Sequence, residues 1–423
     1  MVSRVVTTES QIVEVGGEMV DTDFKTRLRE LRIRRGLSQG ALGGSRYTAS
    51  YISLLESGRR QPTTEVVGYL ASALDVAREE LDPPDEHSTS TATELLDLEL
   101  DLSQSWRGGA LDTVRSAAEK LAGAAAANDR WDVWWRASLE LAHVEALQGS
   151  TDASITLLRE LASHEIVATS ASIAAEALNL TTAVLTWQGR LAEALESAHE
   201  AVRATSTMPS GSSRRVRAIA NLLTAYVAVG DAVQGQRQTQ ALKAEISEVG
   251  SVQVRGIAHW AVGESTLLSG AIDAGVEHIR AARALLSPAN DAVLWGQFLR
   301  TAAFHLARVN AAPELQDLMT LVESAPQTYL PNELAMETMA RVIANADPAN
   351  PAGTADQLLD TARQLPESPV HIIAEIHLLA AAYLRRDGQR GRADEVARDA
   401  AAAFTRVGAP WRAIAAYELM AAD

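Results

Sequence analysis

The stretch LSQGALGGSRYTASYISLLESGRRQP, residues 37–62, reads as two short helices on either side of a glycine turn. Ser38 can cap the first, residues 38–42, by accepting a backbone N–H of its opening turn. Gly43, Gly44, Ser45 and Arg46 then interrupt it, because glycine adopts backbone angles that other residues avoid. Thr48 can cap a second helix, residues 49–57, which turns Ile52 and Leu55 inward at i, i+3 spacing. Its other side offers Ala49, Ser50, Ser53 and Tyr51, and Gly58 ends it. Two helices joined by so tight a turn make a helix-turn-helix, whose second member fits a DNA major groove.

Leu37-Ser38-Gln39, the turn, Ser50-Tyr51-Ile52-Ser53 and Glu56-Ser57-Gly58-Arg59-Arg60 with Pro62 resemble the Cro/repressor-like, XRE-type DNA-binding domain over about residues 23–82. The Gly43-Gly44 pair departs from the Ala-Glu that commonly opens this turn. The resemblance implies a five-helix head. Ala49, Ser50, Tyr51 and Ser53 would face bases, while Ser38, Gln39, Arg46, Thr48, Arg59 and Arg60 would hold phosphates and set register. Charge agrees with a nucleic-acid partner. Residues 23–62 hold nine Lys/Arg against three Asp/Glu, a net of +6, in a chain of net −16. A basic island of this kind gains from counterion release when it meets phosphates.

The 423 residues suffice for two or more domains with sizeable cores. Apolar residues make up 47% and aromatic ones only 4%, with alanine throughout, which favours close helix-on-helix packing. No segment shows the β-branched alternation of a sheet, so the expected fold class is all-α. The absence of cysteine excludes disulfides and cysteine metal sites. No apolar run of membrane-spanning length occurs, and the N-terminus lacks an apolar signal core, so a cytoplasmic protein is expected.

Taken in order, residues 1–22 are polar and without period, and read as a disordered leader. Phe24, Leu28 and Leu31 form the inner stripe of a first helix; Thr63 or Thr64 caps a later one whose apolar face is Val66, Val67, Leu70 and Leu74. Residues 83–93, opening on a proline pair and rich in acids and hydroxyls, read as a linker by composition. From residue 94 to residue 423 short breaks recur at Gly108, Gly149, Gly189, Gly230, Gly270, Asn310, near Asn350 and at Gly388, at intervals of 38–41 residues. Each has a helix-length apolar stretch on either side. The unit is therefore a helix hairpin stacked on its neighbours, about eight of them, forming an α-solenoid.

Segments such as Gly189-Arg190-Leu191 with Glu193, Ala194, Leu195 and Ala198 resemble the turn and second helix of tetratricopeptide repeats, with a period longer than usual. The two parts together resemble the peptide-sensing Rgg/PlcR/PrgX-like group of bacterial regulators. That layout implies a transcription factor, binding a palindromic operator as a homodimer, whose solenoid senses a small peptide or metabolite.

Nine or ten residues before successive breaks stand Leu139, Asn179, Asn221, Trp260 and Arg300, one per unit, and a ladder of such positions can line an inner surface. Amides suit an extended peptide because each both donates and accepts. Arg300 can hold a carboxylate bidentately and Trp260 offers an apolar wall; Arg217 and Glu264 lie one turn from Asn221 and Trp260. The plainer reading of these residues is packing within an alanine-rich array. His371 and Glu375, at i, i+4 with His377 nearby, have a spacing that can bind metal, but His377 points to another face. No phosphate-binding loop, dinucleotide motif or nucleophile turn occurs, so neither an enzyme nor a cofactor is expected. A rival reading makes the solenoid a docking platform for a partner protein, tethered to DNA by the head.

Overall fold

The computed structural model describes residues 24–60, 62–81, 86–108, 110–168, 170–325, 330 and 332–422; the expected leader lies outside them. All regular structure among the described residues is helical, and none of these helices is long and apolar enough to cross a membrane. The chain divides into two compact units between Glu94 and Leu95.

The first unit holds α1 (Phe24–Arg34), α2 (Gln39–Gly43), α3 (Ala49–Glu56), α4 (Thr64–Leu74) and α5 (Arg78–Leu81) around Leu28, Leu42, Ile52, Leu55, Leu70, Leu74 and Leu81, all buried. Local chemistry sets the ends of these helices. Ser38 accepts from the Ala41 amide (3.0 Å), Thr48 from Tyr51 (3.2 Å) and Thr63 from Val66 (3.4 Å). Gly44 turns the chain at φ +54°, and a β-carbon there would lie 2.6 Å from the Tyr69 hydroxyl, which donates to the Gly43 carbonyl at 2.9 Å. Tyr69 thus occupies the space that a larger turn residue would need.

Residues 83–93 do not form the expected linker throughout. α6 (Glu86–Gly108) already runs from Glu86. Composition marked these residues as irregular, yet from 86 onward they contain no proline or glycine, and helix propagates cheaply from the periodic segment that begins at Leu95.

The second unit is an array of hairpins. α6 is followed by α7 (Leu111–Ala127), α8 (Trp131–Leu147) by α9 (Thr151–Ser163), and α10 (Ala171–Gln188) by α11 (Leu191–Ala204). α12 (Ser213–Val229) precedes α13 (Ala232–Ile246), α14 (Val252–Leu268) precedes α15 (Ile272–Leu285), and α16 (Ala292–Arg308) precedes α17 (Ala312–Val322). α18 (Glu333–Ala344) with α19 (Pro351–Gln364) and α20 (Val370–Arg386) with α21 (Arg390–Arg406) complete the pairs, and α22 (Pro410–Ala421) follows. Gly149, Gly189, Gly230, Gly270, Asn310 and Gly388, at six of these eight breaks, all have positive φ. At those six the sequence period is the spacing of left-handed residues that end the first helix of a pair.

From α8 to α20 the first helices touch in succession and make the inner layer. α14 and α16 are covered almost all round, as the buried runs Ala261–Leu267 and Ala302–Ala307 show. The second helices keep one face exposed. In an open solenoid each unit contacts only its neighbours. This one closes on itself. Leu191, Leu222, Tyr226 and Val229 of the third and fourth hairpins share one apolar cluster with Ala374, Phe404, Ala413 and Ala416 of the last hairpin and α22.

Two of the break glycines are seats for this closure. A β-carbon on Gly189 would lie 2.5 Å from His371 Nδ1, and one on Gly230 would lie 2.5 Å from Arg412 Cδ. A β-carbon on Gly149, Gly270 or Gly388 would meet nothing within 4 Å among the described residues beyond its own stretch of chain. Gly270→Ala should therefore cost only the left-handed strain, about 1–2 kcal/mol. Gly230→Ala should cost that and displace Arg412 as well. Thermal denaturation of the two variants checks this, and equal losses would contradict the seat at Gly230.

Candidate functional site

The outward side of α3 carries Ala49, Ser50 and Ser53, all exposed, with Thr48 exposed at its cap. These short side chains allow a groove wall to come close without a steric barrier. Past the helix end Arg59 and Arg60 are exposed and have no carboxylate partner among the described residues. Arg60 lies over the Tyr51 ring at 5.1 Å, a cation–π contact that holds the guanidinium near the helix.

The other residues expected at this face are engaged within the head. Tyr51 is half-buried and stacks on Tyr47 at 5.1 Å, so its ring supports α3 instead of standing free toward bases. Gln39 Nε2 donates to Glu56 Oε2 (2.9 Å), and Arg46 pairs with Glu65. Ser38 is committed to its cap, although it remains exposed. Glu56 also accepts from Arg32 at 2.5 and 3.0 Å. Burial pushes the Glu56 carboxyl up, but the bonds from Arg32 and Gln39 outweigh it and hold the group below the usual carboxylate range. This network ties α1 and α2 to α3 and fixes the angle at which α3 is offered.

In the solenoid the candidate ladder proves to be a set of pairs between inner helices. Asn221 Nδ2 donates to the Asn179 carbonyl (3.1 Å) and to its Oδ1 (3.3 Å), while the buried Asn179 Nδ2 has no hydrogen-bond partner among the described residues. Arg217 reaches Glu176 at 3.3 Å, and Arg214 shares that carboxylate at 2.9 Å. Arg300 does not stand ready for a ligand carboxylate. It is 1% exposed and bonds Glu333 and Glu337 of α18, each at 3.1 Å. One guanidinium between two buried carboxylates has its fork already used. Leu139 is partly buried in the apolar cluster beneath Trp135 and Leu158.

Trp260 and Glu264 belong to a longer chain of contacts. Trp260 Nε1 donates to Glu264 Oε1 (2.5 Å), and His305 Nε2 stands 3.6 Å from the same oxygen. Arg308 meets His305 Nδ1 at 3.0 Å and Glu375 Oε2 at 3.3 Å. Arg412 holds both Glu375 oxygens at 2.5 Å. The relay runs from α14 through α16 and α20 to α22, and so through the ring closure. Burial pushes Glu264 up to about 8 and drives His305 well below its ordinary value, favouring the uncharged form of each. Glu375, whose i, i+4 spacing from His371 suggested a metal, serves as the carboxylate between two arginines. Burial pushes it up, and Arg308 and Arg412 more than reverse that.

The reading of the sequence did not find Glu176, His305, Arg308 or Arg412. A signal for Glu176 and Arg412 exists: opposite charges one repeat apart. Glu176 precedes Arg214 and Arg217, Arg300 precedes Glu333 and Glu337, and Glu375 precedes Arg412, each by 33–41 residues.

Fold and exposed face together define a helix-turn-helix DNA-binding domain joined to a tetratricopeptide-like helical solenoid. Residues 24–83 match the family described as "Helix-turn-helix domain". No curated protein sequence matches the chain. Among solved structures, a Rap protein complexed with Competence and Sporulation Factor is similar in fold. Its TM-score is 0.51 at 10% identity, over 91% of this chain and 98% of that one. Bacillus thuringiensis PlcR, in complex with the peptide PapR7 and DNA, aligns at 12% identity and a TM-score of 0.36, over 62% of this chain and 93% of that one.

Proposed function

We propose that this protein is a sequence-specific transcriptional regulator that binds a palindromic operator as a homodimer and whose solenoid senses a small ligand, a signalling peptide being the best fit. The observation that carries the DNA half is the exposed Ala49–Ser50–Ser53 face of α3, flanked by Arg59 and Arg60, which have no carboxylate partner among the described residues. Two heads would read half-sites about 34 Å apart, or a multiple of it. For the sensing half, the support is the buried relay from Trp260 to Arg412. Buried charges are costly to keep, and a network that spans the ring closure gives a ligand at Trp260 and Glu264 a route to alter it.

The double variant Arg59→Ala/Arg60→Ala of the full chain tests the DNA half. Mobility-shift titration across a salt series should show weaker operator binding and a salt slope shallower by about two. Unchanged affinity and slope would remove phosphate contact from these arginines. A thermal-shift screen with peptides and metabolites tests the sensing half: a saturable rise, lost in Glu264→Gln, is expected. Copurification of a stoichiometric protein without any such rise would favour the docking-platform reading.

A further inference from the structure

At three of the seven seams between successive outer helices an arginine of one faces a carboxylate of the next. Arg159 of α9 meets Glu193 of α11 at 3.1 Å, Arg280 of α15 pairs with Glu314 of α17, and Arg392 of α21 meets Asp356 of α19 at 2.7 Å. Between α13 and α15 no such pair occurs among the described residues. α13 instead presents Arg237 and Lys243, both exposed and neither with a carboxylate partner. They border a groove of about 420 Å³ along α13 and α14, with no acidic side chain in its lining. Its floor includes Thr239 and Ser265, buried hydroxyls 2.9 Å apart, and Gln236 and Gln240 stand on the wall.

Neighbouring groups report the same uncompensated field. His259 of α14 and His278 of α15 stand Nδ1 to Nδ1 at 2.9 Å. Burial lowers both, and the charges acting on them push the same way: Arg255 on His259, and Lys243 with His259 on His278. The buried Arg255 Nε has no hydrogen-bond partner among the described residues. Arg237 and Lys243 are thus the charged side chains of the groove lining, and both are cationic.

We propose that the groove is a binding site for a polyhydroxylated small molecule carrying a phosphate at each end. Arg237 and Lys243 are six residues apart, about 9 Å of helix rise, so they meet separated anionic groups better than a single one. The glutamine amides and the Thr239–Ser265 hydroxyls both donate and accept, which suits hydroxyls between the two charges. The volume falls within the range of small-molecule sites. The groove lining includes none of the relay's residues, and the site stands whether or not the solenoid governs DNA binding.

Calorimetric titration of the full chain with fructose 1,6-bisphosphate, fructose 6-phosphate and fructose provides the test. Affinity should fall by roughly tenfold for each phosphate removed. Arg237→Ala/Lys243→Ala should abolish bisphosphate binding while leaving the ligand-free melting temperature unchanged, since both side chains are exposed. The imidazole NMR signals of His259 and His278 should move on binding and so localise it. Absence of binding by all three probes would overturn the proposal, as would binding that survives the double variant. Equal binding of inorganic tripolyphosphate would overturn the assignment of a hydroxylated body.

Discussion

Glu375→Ala is expected to destabilise the solenoid by about 3–5 kcal/mol, the usual cost of stranding buried charge. Two guanidiniums depend on that carboxylate: Arg412, bound to both oxygens, and Arg308, for which no other carboxylate lies within ion-pair distance among the described residues. Burial already pulls Arg308 down to about 10, with Glu375 the main opposing attraction. Removing the carboxylate leaves like charges facing each other across the closure. Urea denaturation followed by circular dichroism measures the loss. A value below about 1 kcal/mol would mean that the arginines find other partners or water. The double variant Glu375→Ala/Arg412→Met should lose less than the sum of the single variants, because the second change removes one stranded charge.

Arg300→Met should be of similar size, about 3–5 kcal/mol, and should depend on pH in a defined direction. Glu333 is already raised to about 7, chiefly by burial, even with Arg300 beside it. Without the guanidinium, Glu333 keeps only burial and the Glu337 carboxylate one turn away, and it resists ionisation further. A carboxyl whose folded-state value is raised contributes stability that is present below its unfolded value and lost as pH rises through the folded one. The deficit of the variant should therefore be small near pH 5 and grow toward pH 8. A deficit independent of pH would show that lost packing, not stranded carboxylates, dominates.

The head was legible because its signals are local. Ser38, Thr48 and Thr63 cap the helices that they precede, and Gly58 takes its left-handed angle immediately after α3. The repeat was legible for a related reason: six of the breaks take positive φ, and glycine, or asparagine at 310, is what supplies it. Partnership was not legible. Arg300 occupies the ladder position expected of it, but a position on a helix does not tell whether α18 already satisfies it. Likewise Gln39 and Arg46 sit where phosphate contacts would fall, yet Glu56 and Glu65 reach them first. Ring closure was the least visible feature. It follows from the twist summed over several hairpins, and no window of sequence contains that sum.

Closure also limits how this molecule can change in length. An open array can gain or lose a unit because every seam is alike. Here the turn at Gly230 must arrive opposite Arg412, and the turn at Gly189 opposite His371. Removing one forty-residue unit between those partners would bring the wrong turns face to face. The tally of hairpins from the fourth to the eighth is thus a dimension of the structure, as the number of staves is a dimension of a cask.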